Sequence, residues 1–332
     1  MRTVSLQRPE HFTFSDTARP QSPGPGEALV RVLTVGICGT DLHAFEGTQP
    51  FFSYPRILGH ELAVEVMAVG DGVEGLRSGD LCAVNPYMTC GQCAACRKGR
   101  TNCCAKMCVI GVHVDGGMRD VILLPASQLY HCQTLKPVLI PLVETLGVGI
   151  HAVGRAGVEP GDRALVIGAG PIGLSVLEFL RLAGAEAGVV EKIPERLEFA
   201  MKHYGLTRGY PSHEEARQEE PSTLVFDCTG DRKSMEGAIH FVQQGGKLIF
   251  VGIVNDQISL FDPDLHRREA TILASRNSTP MEHHSVLEDM ESGRIDVSGW
   301  PMECAAPDRL AERFPLWLRR EAGIVKAVVD WS

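Results

Sequence analysis

The sequence predicts an α/β protein in two parts: a β-rich, mostly antiparallel domain and a doubly wound parallel sheet with helices on both faces. Length is the first ground. At 332 residues the chain exceeds what one hydrophobic core usually serves, so two domains are expected. The second is a change of texture. Up to about Gly157 short β-branched runs alternate with Gly and Pro, and beyond it buried strands alternate with amphipathic helices. The third is a glycine turn, GAGPIG, set between a strand and a helix.

In the first part, ALVRVLTVGI at 28–37 and LAVEVMAV at 62–69 read as strands. VLIPLVETLGVGIHAV reads as a helical run whose only acid is Glu144. Next comes ALVIGAGPIGLSVLEFLRLAGA, a buried strand, a turn and a helix. AGVVE is a second strand, and PERLEFAMKHYG a helix closed by Gly205. TLVFDCTG and KLIFVGIV are further buried strands. The stretch 208–223, RGYPSHEEARQEEPST, reads as a polar loop or frayed helix. No repeat of 20–50 residues is present.

Composition narrows the function. Hydrophobic residues at 44% with charged residues at 22% describe a globular protein and exclude a disordered one. A net charge of -9 argues against a nucleic-acid surface, because nothing would offset phosphate repulsion. The N-terminal MRTVSLQRPEHF lacks the apolar core of a signal peptide, and the apolar stretch Ala164–Leu177 ends at Glu178, too short to span a bilayer. A cytoplasmic location is expected, with neither membrane nor nucleic-acid partners.

Six of the eleven cysteines fall between Cys90 and Cys108. In a cytosolic chain such clustering reads as metal binding. CGQCAACRKGRTNCC supplies Cys90, Cys93 and Cys96, then Cys103 or Cys104. Four thiolates close a tetrahedral shell and leave no position for substrate, so a zinc here is structural. Cys108 is a weaker candidate, while Cys82, Cys132, Cys228 and Cys304 read as small buried apolar residues.

In GAGPIG, Gly168 permits the tight turn, Gly170 lets backbone approach a pyrophosphate, and Gly173 lets helix and strand pack. The pyrophosphate would rest on the helix N-terminus. Glu191 ends the next strand, where an acid binds a ribose 2′-hydroxyl and repels a 2′-phosphate, so NAD is expected over NADP. The cofactor assignment takes in Pro171 and Ile172 of the turn, and Val251, Gly252 and Ile253 ending KLIFVGIV. Arg196 either flanks the adenine ring or is a solvated helix charge.

A second constellation lies in the β-rich part. ICGTDLH places Cys38 after a strand, with Thr40, Asp41 and His43 behind it, and GHELAVEV supplies His60 and Glu61. Cys38, His60 and a carboxylate give a mixed sulfur, nitrogen and oxygen shell with room for water or substrate, as a catalytic zinc needs. Glu144, in its apolar helix, needs a cation or hydrogen-bond donors. Singly each residue has a bland reading as core or surface; the nucleotide fold and cysteine lobe reverse that balance.

GICGTDLH, the GHE triplet, the cysteine lobe, GAGPIG and EKIPERLEFA stand in the order found in zinc-dependent medium-chain dehydrogenases. End to end, the chain resembles their sorbitol and threonine dehydrogenase branch. Within that branch, GVHVDGG at 111–117 and ASRNST at 274–279 resemble bacterial sugar-acid dehydrogenases such as L-gulonate and L-galactonate 5-dehydrogenases. The resemblance implies a GroES-like catalytic domain over 1–147 and 279–332, with the zinc lobe at 88–108, and a Rossmann domain over 148–278. It places the active site between the domains and implies two zinc ions per chain and a homotetramer or homodimer. It implies Cys38, His60 and Glu61 as catalytic zinc ligands, Glu144 as an acid able to enter that shell, and Cys104 rather than Cys103 as the fourth structural thiolate.

Arg276 and Asn277 either present donors to a substrate carboxylate or hydroxyls, or are ordinary loop residues. Two departures from the branch stand out: Thr145 follows Glu144 where relatives usually carry proline, and the region 206–222 is shorter than usual. The expected chemistry is oxidation of a secondary alcohol of a polyol or sugar acid to a ketone, with zinc polarising the hydroxyl. Its proton would leave through Thr40 and His43, unless His43 only makes structural hydrogen bonds, and hydride would pass to the nicotinamide. Alternatives are a threonine or simple secondary-alcohol dehydrogenase, or a non-catalytic NAD-binding protein with structural zinc only.

Overall fold

The computed structural model describes residues 1–319 and 323–332. The chain divides into two compact units, Met1–Glu144 with Thr279–Ser332, and Thr145–Ser278. The sequence reading drew the first boundary at 147/148. Among the described residues no helix is long and apolar enough to cross a membrane.

The first unit is built on a seven-stranded sheet. Its path runs Met302–Ala305, Lys326–Asp330, Glu27–Ile37, Glu61–Val69, Leu81–Val84 and Leu129–Cys132, with Val121–Pro125 also paired to Glu27–Ile37. Every pairing is antiparallel except that between the first two strands. The strand Glu27–Ile37 is buried at nearly every position, as its run of β-branched residues requires.

Register places the chemistry. Gly36 pairs with Glu61 on one side and with Val328 on the other. One neighbour is thus the GHE strand, and the other is the last strand of the chain. A Cβ on Gly36 would lie 2.1 Å from Glu61 Oε2, so glycine here makes room for the carboxylate. Gly59 has φ 95°, and a Cβ there would meet Val35 Cγ1 at 2.7 Å. That bend turns His60 and Glu61 inward as the strand begins.

Phe12, Phe45 and Phe314 fill the base of this unit, with ring centroids 4.8–5.4 Å apart. Each such ring contributes about 1.5–3 kcal/mol by leaving water. Tyr87, Val109 and Val112 form a separate small cluster beneath the cysteine lobe. Cys82 and Cys132 are buried as expected, but Cys304 is exposed. It lies on Met302–Ala305, which is the edge strand of this sheet among the described residues.

The second unit is a six-stranded parallel sheet flanked by helices. Its order is Arg208–Tyr210, Glu186–Val190, Arg163–Ile167, Ser222–Asp227, Val242–Phe250 and Thr271–Ala274. In chain order this is 3-2-1-4-5-6, the arrangement of dinucleotide-binding sheets. The expected α/β class, with a β-rich part and a doubly wound part, is what folds. The stretch 208–223 needs correction: Arg208–Tyr210 is an edge strand, His213–Ala216 a short helix capped by Ser212, and Ser222 opens the next strand. A three-residue strand containing glycine offers no periodicity to read.

Candidate active site and metal centres

Cys38 leaves the strand Glu27–Ile37 and caps the helix Gly39–Glu46. Its backbone N–H donates to Asp41 Oδ2 at 2.9 Å. Asp41 Oδ1 lies 3.6 Å from His60 Nδ1 and accepts a long hydrogen bond from the Gly59 N–H at 3.4 Å. Asp41 is 1% exposed. A single buried carboxylate therefore ties together the two loops that present Cys38 and His60. Burial raises the Asp41 carboxyl, although His60 opposes it. For His60, burial disfavours the imidazolium, yet Asp41, Cys38 and Glu144 together push it well above the usual histidine value.

One donor atom from each of Cys38, His60 and Glu61 lies within 4.8 Å of the others. Thiolate, imidazole and carboxylate in that space suit a zinc-sized ion, and three protein donors leave an open position. The Lys326 Nζ donates to Glu61, both side chains being 1% exposed. Burial disfavours the Lys326 ammonium, but Glu61 and Cys38 hold it charged and raise it above the ordinary lysine value.

Glu144 is buried in the first turn of the helix Leu142–Ala156, but it is outside the three-donor group. Its Oε1 accepts a hydrogen bond from the Tyr87 hydroxyl instead. Burial raises Glu144, against the pull of His60 and Tyr87. Burial and the neighbouring Glu144 carboxylate push the Tyr87 phenol well above its ordinary value. Thr40 and His43 share the helix Gly39–Glu46 and are half-buried. His43 Nδ1 faces Thr48 Oγ1 at 3.2 Å and Glu46 Oε2 at 3.3 Å rather than Thr40.

Sequence reasoning missed Tyr87 and Lys326. A lysine inside the apolar run IVKAVV was a readable signal, because such a residue is buried only with a partner. Tyr87 gave none.

In the lobe, donor atoms of Cys90, Cys93, Cys96 and Cys104 lie within 4.8 Å of one another. Cys103 is exposed. Between the two adjacent cysteines, the short helical turn Thr101–Cys103 delivers Cys104 inward. Backbone N–H groups of Cys90 and Lys106 lie 3.3 Å from Cys104 Sγ. Amides of Cys96 and Ala105 lower Cys93 to about 6, favouring the thiolate a metal needs.

In the second unit, Gly168 has φ 94°, and Gly170 precedes the helix Pro171–Leu182. A Cβ on Gly173 would lie 1.7 Å from Gly168 O, so no other residue fits. Glu191 is 7% exposed; it accepts from Ala169 N at 2.7 Å and from Ile193 N at 2.9 Å. The acid is thereby fixed beneath the turn. The N–H groups of Val251 and Gly252 both donate to Asp227 O at 2.9 Å, and Ile253 is exposed. Pro171 and Ile172 are half-buried in the first helical turn. Arg196 is half-buried on Pro194–Tyr204, Arg276 is exposed, and Asn277 takes φ 55°.

Residues 24–134 match the alcohol dehydrogenase GroES-like domain, and residues 171–292 match the zinc-binding dehydrogenase domain. The L-galactonate-5-dehydrogenase of Escherichia coli (strain K12) is 38% identical over 89% of this chain and 88% of that one. Among solved structures, a short chain alcohol dehydrogenase (rspB) from E. coli CFT073, complexed with NADH, superposes with TM-score 0.90 at 26% identity, covering 99% of both chains. A zinc-binding dehydrogenase from Sinorhizobium meliloti 1021, bound to NADP, gives TM-score 0.90 at 26% identity over 99% of this chain and 98% of that one. The chain belongs to the zinc-binding alcohol dehydrogenase family, an oxidoreductase with a GroES-like and a Rossmann-type domain.

Proposed function

We propose that this oxidoreductase oxidises a secondary alcohol of a polyol or sugar acid to a ketone, with zinc and with NAD in preference to NADP. The observation that carries the reading is the convergence of a half-buried Cys38 with the buried His60 and Glu61. Similarity to an L-galactonate dehydrogenase supports the substrate class.

Cys38, His60 and Glu61 would hold the catalytic zinc, and Cys90, Cys93, Cys96 and Cys104 a structural one. When bound, the first ion supplies Lewis-acid polarisation of the substrate hydroxyl, and the nicotinamide accepts the hydride. The chain's own groups do the rest. Asp41 gives His60 a buried anionic neighbour, its Oδ1 lying 3.6 Å from Nδ1, and so favours the ring orientation in which the imidazole would serve the metal. Lys326 supplies Glu61 with a buried cationic partner. The Thr40 hydroxyl takes up the substrate proton and His43 passes it outward, with Glu46 and Thr48 fixing the imidazole.

Gly168, Gly170 and Gly173 admit the pyrophosphate, and Glu191 favours a free ribose 2′-hydroxyl. Val251, Gly252 and Ile253 border the nicotinamide half, and Arg196 the adenine. Arg276 and Asn277 meet the substrate's polar end. Glu144 stands by as an acid next to the metal. The protein works in the cytoplasm as a homodimer or homotetramer; the edge strand Thr271–Ala274, with Ile272 exposed, is compatible with such pairing.

Metal analysis and a substrate screen test the reading. Two zinc ions per chain and NADH formation with aldonates or polyols are expected. A single zinc, or faster turnover of threonine or 2-butanol than of any aldonate, would overturn it.

A further inference from the structure

The proposed chemistry gives Glu144 a place but leaves its buried partner, Tyr87, without a task. Tyr87 lies on the short strand Tyr87–Met88 that leads into the cysteine lobe, and Glu144 opens the helix Leu142–Ala156. They are 7% and 5% exposed, and the Tyr87 hydroxyl donates to Glu144 Oε1. Besides Asp41, two carboxylates lie in the neighbourhood of His60, and they have different holders. Glu61 is gripped by an ammonium and still sits within the donor trio, whereas Glu144 is held by a neutral phenol and lies outside it. His60 and Lys326 nevertheless exert an electrostatic pull on Glu144. A buried carboxylate with a neutral donor is less fully compensated than one with a cation, so Glu144 is the acid more easily drawn to a metal.

We propose that Tyr87 is a positioning residue that holds Glu144 away from the Cys38–His60–Glu61 donors and so reserves the metal's remaining position for substrate. This rests on the metal-site reading above. Without the hydroxyl, Glu144 is a buried acid lacking its donor, and the nearest compensation is the cation. Tyr87→Phe should then bind zinc more firmly but turn over more slowly, since a protein carboxylate fills the substrate's place.

The test follows zinc release from the intact, zinc-loaded protein into excess chelator, for wild type, Tyr87→Phe, Glu144→Gln and the double variant. Cys38→Ser identifies the phase that belongs to the cysteine lobe. Tyr87→Phe should slow release of the other zinc about tenfold, the worth of one buried hydrogen bond. The double variant should release it as Glu144→Gln does, and kcat of Tyr87→Phe should fall more than KM changes. Glu144→Gln alone should leave release unchanged. Faster or unaltered release from Tyr87→Phe, slowing that persists in the double variant, or much faster release from Glu144→Gln would each overturn the proposal. A wild-type protein that shows only the cysteine-lobe phase would instead sink the metal-site reading itself.

Discussion

The ammonium of Lys326 lies against the carboxylate of Glu61, two side chains 265 residues apart in the chain and each 1% exposed. Removing one partner of such a buried pair leaves a charge without compensation. Lys326→Met should destabilise the metal-free protein by roughly 3–5 kcal/mol. Zinc should restore part of that loss, because a divalent cation beside Glu61 replaces the ammonium. Urea unfolding with and without zinc measures both effects, and equal losses under the two conditions would contradict the metal site.

Cys38→Ser should abolish turnover while leaving NADH binding largely intact. The thiolate belongs to the donor trio of the first unit, whereas the glycine turn belongs to the second. Fluorescence titration with NADH, run beside metal analysis, reads this out. Joint loss of both properties would point to a failure of folding.

The lobe makes a sharper demand. Cys104→Ser should lose one zinc and lower the thermal midpoint, since a structural zinc site contributes folding energy directly. Cys103→Ser, at an exposed thiol one residue away, should keep both ions and the wild-type midpoint.

Glu191 satisfies the Ala169 and Ile193 amides and is proposed to meet the ribose. Glu191→Ala should cost about 1–3 kcal/mol through unsatisfied buried donors. It should also shift the ratio of kcat/KM for NAD over NADP toward NADP, since the negative charge facing a 2′-phosphate is gone. A ratio unchanged from wild type would remove Glu191 from cofactor selection.

His283 predicts a pH dependence. It is 0% exposed on the helix Pro280–Glu291 and packs on Tyr130 with ring centroids 4.9 Å apart. Burial, with His284 nearby, lowers it to about 3. The unfolded chain binds this proton below about pH 6.5 and the folded chain does not. Stability is therefore full above that value and falls as the solution is acidified toward pH 3. Between pH 7 and pH 5 this histidine accounts for roughly 2 kcal/mol of loss. His283→Phe, which keeps an aromatic ring against Tyr130, should flatten the melting temperature over that interval.

What the sequence made legible follows from how local each feature is. The turn from Gly168 to Gly173 was readable because strand, turn and helix are contiguous and Gly173 answers a close contact with Gly168 in the same turn. The cysteine lobe was readable for the same reason, apart from the choice between Cys103 and Cys104, which spacing alone left open. The strand ending at Asp330 is different. Its lysine reaches Glu61 only because Val328 and Glu61 flank Gly36 in one sheet, a register that no local pattern encodes. Tyr87 meets Glu144 across 57 residues in the same way. Arg208–Tyr210 escaped notice because three residues at a sheet edge carry too little pattern.

The position of Lys326 also bears on how the molecule is made. The second unit comes from one unbroken stretch, so all six of its strands have left the ribosome before the first unit receives its closing strand. Until that strand arrives, Glu61 lacks its counter-ion and the donor trio lacks a wall. Synthesis therefore delays a competent metal pocket until Lys326–Asp330 has been made, so a nascent chain can carry a finished nucleotide fold while its metal centre is still unfinished.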